Sequence, residues 1–319
     1  MRPTIKNSTI LVTGGAGFIG SHLVDKLILE GAKKLIVIDN MFLGSEENLK
    51  NAILCGAVLY KDDIEISSSL DYIFNKYDID IVFNCATKAL NYSFVNPKNA
   101  FNTNVNGILN ILEHQRNGSF KTLVHFSTSE VYGTAVYEPM DESHPIKPTT
   151  TYAAGKAAAD LAVMSYLNMF ELDAFIVRPF NNYGPRQNYK GYLSGIIPIT
   201  CWRIMNDINP EIHGTGLQSR DFIYVLDTVD AIIKLYYKMK TGGSINISTD
   251  GQITMKDVVS KIVKQMDYKE KILQKAARGA DVECHNASNE KIKSMIDYRL
   301  TSFENGLEKT IKWYMENIK

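Results

Sequence analysis

Three residues with reactive side chains follow an apolar segment in the stretch LVHFSTSEVYG. Thr128 and Ser129 carry hydroxyl groups, and Glu130 carries a carboxylate. A core strand needs none of these groups, whereas ligands of open parallel sheets bind at the ends of strands. A positioned carboxylate is suited to taking a proton from a reacting group. The stretch therefore predicts a catalytic site, and the alternative for Glu130 is a carboxylate that caps the next turn.

A tyrosine and a lysine stand four residues apart in the stretch TYAAGK. On a helix, Tyr152 and Lys156 would share one face, where a lysine ammonium lowers the pKa of the tyrosine and grips a ribose. The same spacing begins again at Tyr72 and at Tyr236. Only Tyr152 comes shortly after a hydroxyl-rich strand end, at Thr128. We therefore interpret the other two as solvated or packing pairs.

A glycine-rich loop in ILVTGGAGFIG predicts a site for a dinucleotide. Glycine allows a tight turn and a close approach of the backbone to a pyrophosphate, and the N-terminus of the following helix presents free amides and positive potential. The helix is expected to begin near Phe18. The predicted cofactor contacts in this loop are Gly14, Gly17, Phe18, Ile19 and Gly20.

An acid after the next strand predicts which dinucleotide binds. The segment KLIVID ends in Asp39, nineteen residues after Gly20. A carboxylate there accepts hydrogen bonds from ribose hydroxyls and repels a 2′-phosphate, so we expect NAD rather than NADP. Asp63, at the following strand end, is predicted to meet the adenine. Asn40 and Ile64, beside the two acids, complete the predicted cofactor contacts.

The elements that position these residues alternate along the first 180 residues. Short apolar runs, each followed by a helical pattern, predict an α/β fold with a doubly wound parallel sheet. The runs are TILVTG, LIVID, AVLY, DIVFNCA, TLVHFS and AFIVRP. From residue 181 the pattern loosens into turns, a short strand in SINIST and a final helix near residues 302–317. We expect this smaller part, residues 181–319, to pack on residues 1–180 and to form a ligand cleft with them.

Composition excludes several classes of function. Among the 319 residues, 35 Lys and Arg balance 35 Asp and Glu, so no net field exists to hold nucleic acid or an anionic membrane. No segment approaches the roughly 18 apolar residues of a membrane span, and the N-terminus lacks the pattern of a signal peptide. Four isolated cysteines and six scattered histidines predict a cytoplasmic protein with reduced thiols and no metal.

Six motifs together resemble one family. GGAGFIG, Asp39, STSEVYG, YAAGK, RPFNNYGPR and LQSRDFIYVLD are similar to the extended short-chain dehydrogenase/reductases that act on nucleotide sugars. The resemblance runs from about residue 8 to the end of the chain. It implies a Rossmann domain for NAD in residues 1–180 and, interleaved with it, a C-terminal α/β portion for a nucleoside diphosphate sugar in residues 181–319. Two departures are Gly155, where serine is more usual, and NCATKAL, which replaces an HLAA-type run.

The resemblance also implies roles for individual residues. Tyr152 would take the proton of the sugar 4-hydroxyl while C4 delivers hydride to the nicotinamide. Lys156 would hold the nicotinamide ribose, and Thr128 would hydrogen bond the 4-oxygen. The residues assigned to the sugar and its phosphates are Asn181, Arg186, Arg220 and Arg278, with a surface ion pair and a loop cation as the alternatives for the last two.

The 4-keto sugar that follows has three fates. If Glu130 removes the C5 proton, water leaves from C6 and the enzyme is a 4,6-dehydratase. Without that base it is a 4-epimerase, and with a cation for a C6 carboxylate it is a UDP-glucuronate decarboxylase. The surrounding sequence most resembles 4,6-dehydratases, although many of those place an aspartate acid where this chain has Ser129. A regulatory NAD sensor is disfavoured because Tyr152 and Lys156 are both present.

A homodimer is expected from two helices. The stretch AAGKAAADLAVMSYLNMF is too apolar for a solvated helix. We predict that the helices near residues 97–116 and 152–170 lie side by side and form the contact, as the family resemblance also implies.

Overall fold

The computed structural model describes residues 2–277 and 284–318. Its centre is a seven-stranded sheet. Six strands coincide with the six apolar runs read from the sequence: β1 (Thr9–Thr13), β2 (Lys34–Ile38), β3 (Val58–Tyr60), β4 (Ile81–Asn84), β5 (Thr122–Phe126) and β6 (Asp173–Pro179).

The strand order and direction are those of a doubly wound sheet. The order is β3, β2, β1, β4, β5 and β6, followed by a seventh strand, β11 (Ser244–Ile247), beside β6. All neighbours are parallel, with registers such as Val12 opposite Val37 and Phe83. The predicted Rossmann-like α/β class is confirmed.

Helices cover both faces of this sheet. Residues of alternating strand positions contribute to two separate apolar cores, as the period of two in a strand requires. One core contains side chains of α1 (Phe18–Leu29), α2 (Lys50–Leu54), α7 (Val225–Tyr236) and α9 (Glu290–Met295). The other contains side chains of α3 (Ser67–Lys76), α4 (Pro97–Arg116) and α5 (Thr151–Phe170).

Much of the rest of the chain forms a smaller layer with its own core. Its strands are β7 (Asn181–Tyr183), β8 (Glu211–His213), β9 (Ser219–Arg220), β10 (Phe222–Tyr224), β12 (Ile253–Thr254), β13 (Leu273–Lys275) and β14 (Cys284–His285). Its helices are α6 (Ile196–Met205), α8 (Met255–Gln265) and α10 (Phe303–Asn317). The buried residues Tyr183, Ile204, Ile262, Leu307 and Tyr314 hold these pieces together.

The two long helices α4 and α5 lie side by side, and one glycine brings them close. A Cβ on Gly155 would lie 2.8 Å from the carbonyl oxygen of Phe101 on α4. Any larger residue would push the helices apart. The glycine that departs from the family pattern therefore has a packing reason.

Three further observations concern possible ligands and linkages. In the described part of the chain, no helix is long and apolar enough to cross a membrane. Within the same residues, no group of His, Cys, Asp and Glu is arranged to hold a metal ion. All four cysteines are free thiols, and Cys55 is exposed.

Candidate active site

A cavity of about 370 Å³ opens at the carboxyl ends of the central strands. All ten residues that the sequence assigns to the cofactor line it, together with Thr128 and Tyr152. Loops that follow β1, β2, β3, β4 and β5 meet there because the strands are parallel and end at one edge of the sheet. The sheet thus brings the glycine loop, the two acids and the tyrosine to one place.

The glycine loop forms a cradle at the start of α1. A Cβ on Gly20 would overlap the carbonyl oxygen of Gly14, so only glycine allows this close fold of the loop on the helix. The helix begins at Phe18, and its first amides face the cavity edge without an acidic residue in the first turn. The cradle has the shape and the positive potential that a pyrophosphate requires.

Asp39 is nearly buried, and its carboxylate is held by the backbone. Its Oδ2 accepts from the amide of Ala16 at 3.0 Å and its Oδ1 from the amide of Met41 at 2.9 Å. Burial raises the pKa of Asp39, and these amides oppose the rise. Asn40 donates to Asp63 at 2.7 Å, so the loops after β2 and β3 are tied together at the rim of the cavity.

Tyr152 stands at the first turn of α5, where its side chain is half-buried and lines the cavity. Burial raises the pKa of Tyr152 to about 12. The hydroxyls of Thr128 and Thr87 hydrogen bond the phenol and lower the pKa, whereas the charge of Glu130 raises it. Residues from three separate segments of the chain therefore act on this phenol.

Lys156 lies one turn further along α5. Its ammonium donates to the carbonyl oxygen of Phe126 at 2.7 Å. Burial lowers the pKa of Lys156 to about 8, and Asp160 opposes that shift. The expected lowering of the tyrosine pKa by this lysine stays a prediction, because burial dominates the pKa of Tyr152 here.

A buried polar network lies behind the lysine, and the sequence reading missed it. Asp160 accepts from Ser127 at 2.9 Å and from two nitrogens of Arg178 at 3.0 and 3.1 Å. Arg178 also donates to the hydroxyl of Tyr132 at 2.9 Å. These contacts fix the floor of the site from β5, β6 and α5. No motif marks them because they join elements that are distant in sequence.

The stretch LVHFSTSEVYG contains a short 3₁₀ turn, Ser129–Tyr132. Its cap is Thr128, whose Oγ1 accepts from the amide of Glu130 at 3.3 Å. The carboxylate of Glu130 is 12% exposed, and its Oε1 lies 3.8 Å from Nδ1 of His285. A threonine caps the turn, so Glu130 is not its cap. Ser129 is buried.

The other two tyrosine–lysine pairs are structural, as interpreted from the sequence. Lys76 donates to the exposed Tyr72 at 3.1 Å on the surface of α3. Tyr236 is buried and donates to the carbonyl oxygen of Pro3 at 2.7 Å. Neither of the two tyrosines lines the cavity.

The predicted substrate residues lie in different surroundings. Arg186 lines the cavity and pairs with Asp25 of α1 at 2.7 Å. Asn181 on β7 has a buried Nδ2 without a hydrogen-bond partner among the described residues. Arg220 on β9 donates to its own neighbour's carbonyl oxygen and acts electrostatically on His285. Arg278 lies outside the described residues.

Thr87 and Lys88 also line the cavity, although no motif in the sequence predicted a role for them. Thr87 meets the phenol of Tyr152 and donates to Asn104 at 2.7 Å. Lys88 is 7% exposed, and its ammonium lies 4.2 Å from the ring centre of Phe42. The available signal was the departure in NCATKAL, which contains both residues.

Comparisons with known proteins place this geometry among related chains. The sequence profile of the GDP-mannose 4,6 dehydratase family matches residues 11–310. The dTDP-D-glucose 4,6-dehydratase of Dictyostelium discoideum is 31% identical across 97% of this chain and 82% of its own length. UDP-glucuronic acid decarboxylase 6 of Arabidopsis thaliana is 34% identical across 80% of this chain and 74% of its own length.

Solved structures share the whole architecture. The UDP-glucose 4-epimerase of Thermotoga maritima, solved with UDP-glucose, has a TM-score of 0.92 at 30% identity and covers 98% of this chain and 100% of its own. The dTDP-glucose 4,6-dehydratase of Streptomyces venezuelae, solved with NAD and TYD, has a TM-score of 0.91 at 27% identity and covers 97% of both chains. Three different reactions are thus carried by relatives of similar likeness.

Proposed function

Because this chain belongs to the family of NAD-dependent nucleotide-sugar epimerases and dehydratases that the GDP-mannose 4,6 dehydratase profile describes, we propose that it is a nucleoside diphosphate sugar 4,6-dehydratase. It oxidises the sugar at C4, eliminates water across C5 and C6, and reduces C6. The motif resemblance read from the sequence is confirmed at the level of the family.

One observation favours an elimination over a simple 4-epimerisation. Glu130 is the carboxylate beside the phenol of Tyr152, and a threonine rather than this acid caps the turn. An epimerase needs only the tyrosine and its hydroxyl neighbour, whereas an elimination needs a second base near C5. The position of Glu130 supports its assignment as that base.

The cavity residues fit NAD. The cradle of the glycine loop would hold the pyrophosphate, and Asp39 would accept from the adenosine ribose. When bound, NAD supplies a hydride acceptor for C4, a hydride donor for C6 and a positive charge near the phenol. Lys156, on the same helix face as Tyr152, would bind the nicotinamide ribose.

The first step belongs to Tyr152. Its phenol, with a pKa raised by burial to about 12, keeps its proton at neutral pH. The ammonium of Lys156 is the nearby protein charge that would favour the phenolate. Where these charges favour loss of the phenol proton to water, the resulting phenolate would take the proton of the 4-hydroxyl, and Thr128 would orient that oxygen. Thr87, which also meets the phenol, would hold the ring in place.

The second step belongs to Glu130. A ketone at C4 acidifies the C5–H bond, and the carboxylate of Glu130 takes that proton. The protonated Glu130 then returns the proton to the C6 oxygen, which leaves as water, and C5 takes a new proton of solvent origin when C6 is reduced. Ser129 has no ionisable side chain for this task, so we assign it the orientation of the carboxylate or of the departing oxygen.

The diphosphate of the substrate requires cations. Arg186 and Arg220 are the described arginines that we assign to it, since guanidinium groups bind phosphate through paired hydrogen bonds. Asn181 has a buried amide nitrogen to donate to the sugar.

The product mass tests this function. We expect a panel of nucleotide sugars to contain one that loses the mass of a water molecule when incubated with the protein and NAD. An unchanged mass with an altered configuration at C4 would instead establish a 4-epimerase. Loss of carbon dioxide would establish a decarboxylase. Formation of any product that requires NAD would distinguish these three enzymes from a non-catalytic NAD sensor.

We also propose a homodimer through α4 and α5. On α5, Leu161 is 61% exposed and Met169 is 67% exposed, which is unfavourable for a helix that faces water. Sedimentation at micromolar concentration should give twice the mass of the chain. Replacing Leu161 with Glu should shift the equilibrium toward monomer, and a stable wild-type monomer would contradict the assignment.

A further inference from the structure

A buried histidine lies next to the proposed base. His285 on β14 has no solvent exposure, and its Nδ1 lies 3.8 Å from Oε1 of Glu130. β14 pairs with β9, and the register sets His285 opposite Arg220. The sequence reading gave this histidine no role. It comes from the C-terminal part of the chain, whereas Glu130 follows a central strand.

The hydrogen bonds of the ring define its tautomer. Nε2 lies 2.9 Å from the carbonyl oxygen of Gly133. A carbonyl oxygen only accepts, so Nε2 carries the proton. Burial lowers the pKa of His285 to about 4, and the charge of Arg220 lowers it further. The ring is therefore neutral near pH 7, and Nδ1 presents a bare lone pair.

That lone pair faces Glu130. Nδ1 is buried and has no hydrogen-bond partner within residues 2–277 and 284–318. Among the titratable groups around the ring, Arg220 and His144 disfavour a charged imidazole, and Glu130 is the acid that faces Nδ1. A lone pair repels a carboxylate but accepts a hydrogen bond from a carboxylic acid.

We propose that His285 is a positioning residue that stabilises the protonated form of Glu130 during the elimination. The inference rests on the proposed dehydratase function. When the C5–H bond breaks, its electron pair enters the C4–C5 enolate and the proton forms an O–H bond on Glu130. That O–H donates to Nδ1 of His285. The proton then passes to the C6 oxygen as the C6–O bond breaks and water leaves.

The geometry suits this exchange. Oε1 of Glu130 lies 3.8 Å from Nδ1 of His285, so a shift of about 1 Å would bring the two atoms to hydrogen-bond distance. Catalytic contacts commonly tighten in this way when substrate binds. His285 returns to its starting state after each turnover because it only accepts a hydrogen bond. Many 4,6-dehydratases have an aspartate acid at the position of Ser129. In this chain the protonated Glu130, stabilised by His285, would serve as that acid.

Two substitutions separate this role from packing. In His285→Gln, the amide nitrogen can still donate to Gly133, but no acceptor remains at the position of Nδ1. In His285→Asn, the amide oxygen can occupy the position of Nδ1, but the bond to Gly133 is lost. We expect His285→Gln to slow turnover and solvent exchange of the C5 hydrogen by roughly 10- to 100-fold, and His285→Asn to retain more of both.

The pH profile gives an independent readout. A hydrogen bond to the acid form raises the pKa of Glu130, so its loss should move the acidic limb of kcat to lower pH, by about one unit in His285→Gln. His144→Gln is the matched control, because it removes another buried imidazole near the site that faces Val136 and Pro145 instead. Its acidic limb should stay where the wild type has it.

The outcomes distinguish the two proposals. His285→Gln could keep the wild-type exchange rate of the C5 hydrogen and the wild-type acidic limb of kcat while Glu130→Gln fails to eliminate water. That result would overturn the role of His285 and leave the dehydratase function standing. A greater loss in His285→Asn than in His285→Gln would likewise show a packing role. If Glu130→Gln eliminates water at the wild-type rate, both proposals fall.

Discussion

The candidate site has two parts, one for the cofactor and one for the reacting groups, that are built in different ways. The cradle for the cofactor uses the loop from Gly14 to Gly20 and the acid Asp39, which are close in sequence and belong to adjacent strands. In the reacting part, Thr87, Thr128 and Tyr152 line the cavity. Glu130 acts on the phenol of Tyr152 from outside this lining, and His285 reaches Glu130 from the C-terminal part of the chain.

This difference between the two parts indicates which of them selects the reaction in the proposed mechanism. The cradle residues lie on two adjacent strands and the loops that follow them, so their pattern is compact in the sequence. In the proposed reaction, the reacting part decides what happens to the 4-keto sugar, and its residues come from the loop after β4, the turn after β5, helix α5 and strand β14. Substitutions in the two parts should therefore have different consequences.

The largest expected effect lies in the reacting part. Tyr152→Phe removes the proton acceptor of the first step, so every later step is blocked as well. We expect turnover to fall by roughly 10⁴-fold, the upper range for loss of a general base, while NAD binding stays nearly unchanged because the ring still packs. Calorimetric NAD titration beside a turnover assay checks this, and an active variant would overturn the assignment of Tyr152.

The next effect separates the two steps. Glu130→Gln leaves Tyr152 and Thr128 intact, so oxidation at C4 should proceed, whereas elimination should slow by roughly 10²- to 10⁴-fold. Enzyme-bound reduced nicotinamide should accumulate and be visible in the near ultraviolet. The C5 hydrogen should exchange with solvent far more slowly than in the wild type. Near-normal turnover without exchange at C5 would favour a 4-epimerase.

In the cofactor part, the expected loss is smaller and concerns binding. Asp39→Ala removes the ribose acceptor and the charge that repels a 2′-phosphate, so NAD should bind roughly 10-fold more weakly and the preference over NADP should shrink. Asp39→Asn keeps the size of the side chain and removes only the charge. The dissociation constants of NAD and of NADP, measured for the wild type and both variants, check this. An unchanged ratio would show that Asp39 does not choose the cofactor.

The smallest effect sharpens the division of labour within one turn. Ser129→Ala removes a hydroxyl that orients groups but carries no ionisable proton, so turnover should fall by roughly 10-fold or less. Glu130→Gln, one residue away, is the internal comparison in the same assay. If Ser129→Ala were the slower variant, the serine rather than the glutamate would be the proton donor to the leaving oxygen.

The sequence determined the frame of this protein. Short continuous apolar runs, each followed by a helical pattern, are typical of strands buried on both faces of a parallel sheet, so six of the seven central strands could be predicted from local pattern. The glycine loop and Asp39 have fixed spacing because adjacent strands of a parallel sheet end at one edge. The family followed from these motifs, and the finer assignments of domains and site residues stay predictions.

Only the tertiary structure decided what surrounds the reacting groups. The seventh strand, β11, comes from a segment that the sequence reading placed in the C-terminal portion, yet it pairs with β6. Thr87 and Lys88 lie in the unusual run NCATKAL and His285 lies in no motif, and the role of each depends on contacts across the fold. Burial sets the pKa of Tyr152 and of His285, and burial is a property of the packed chain rather than of any short stretch of it.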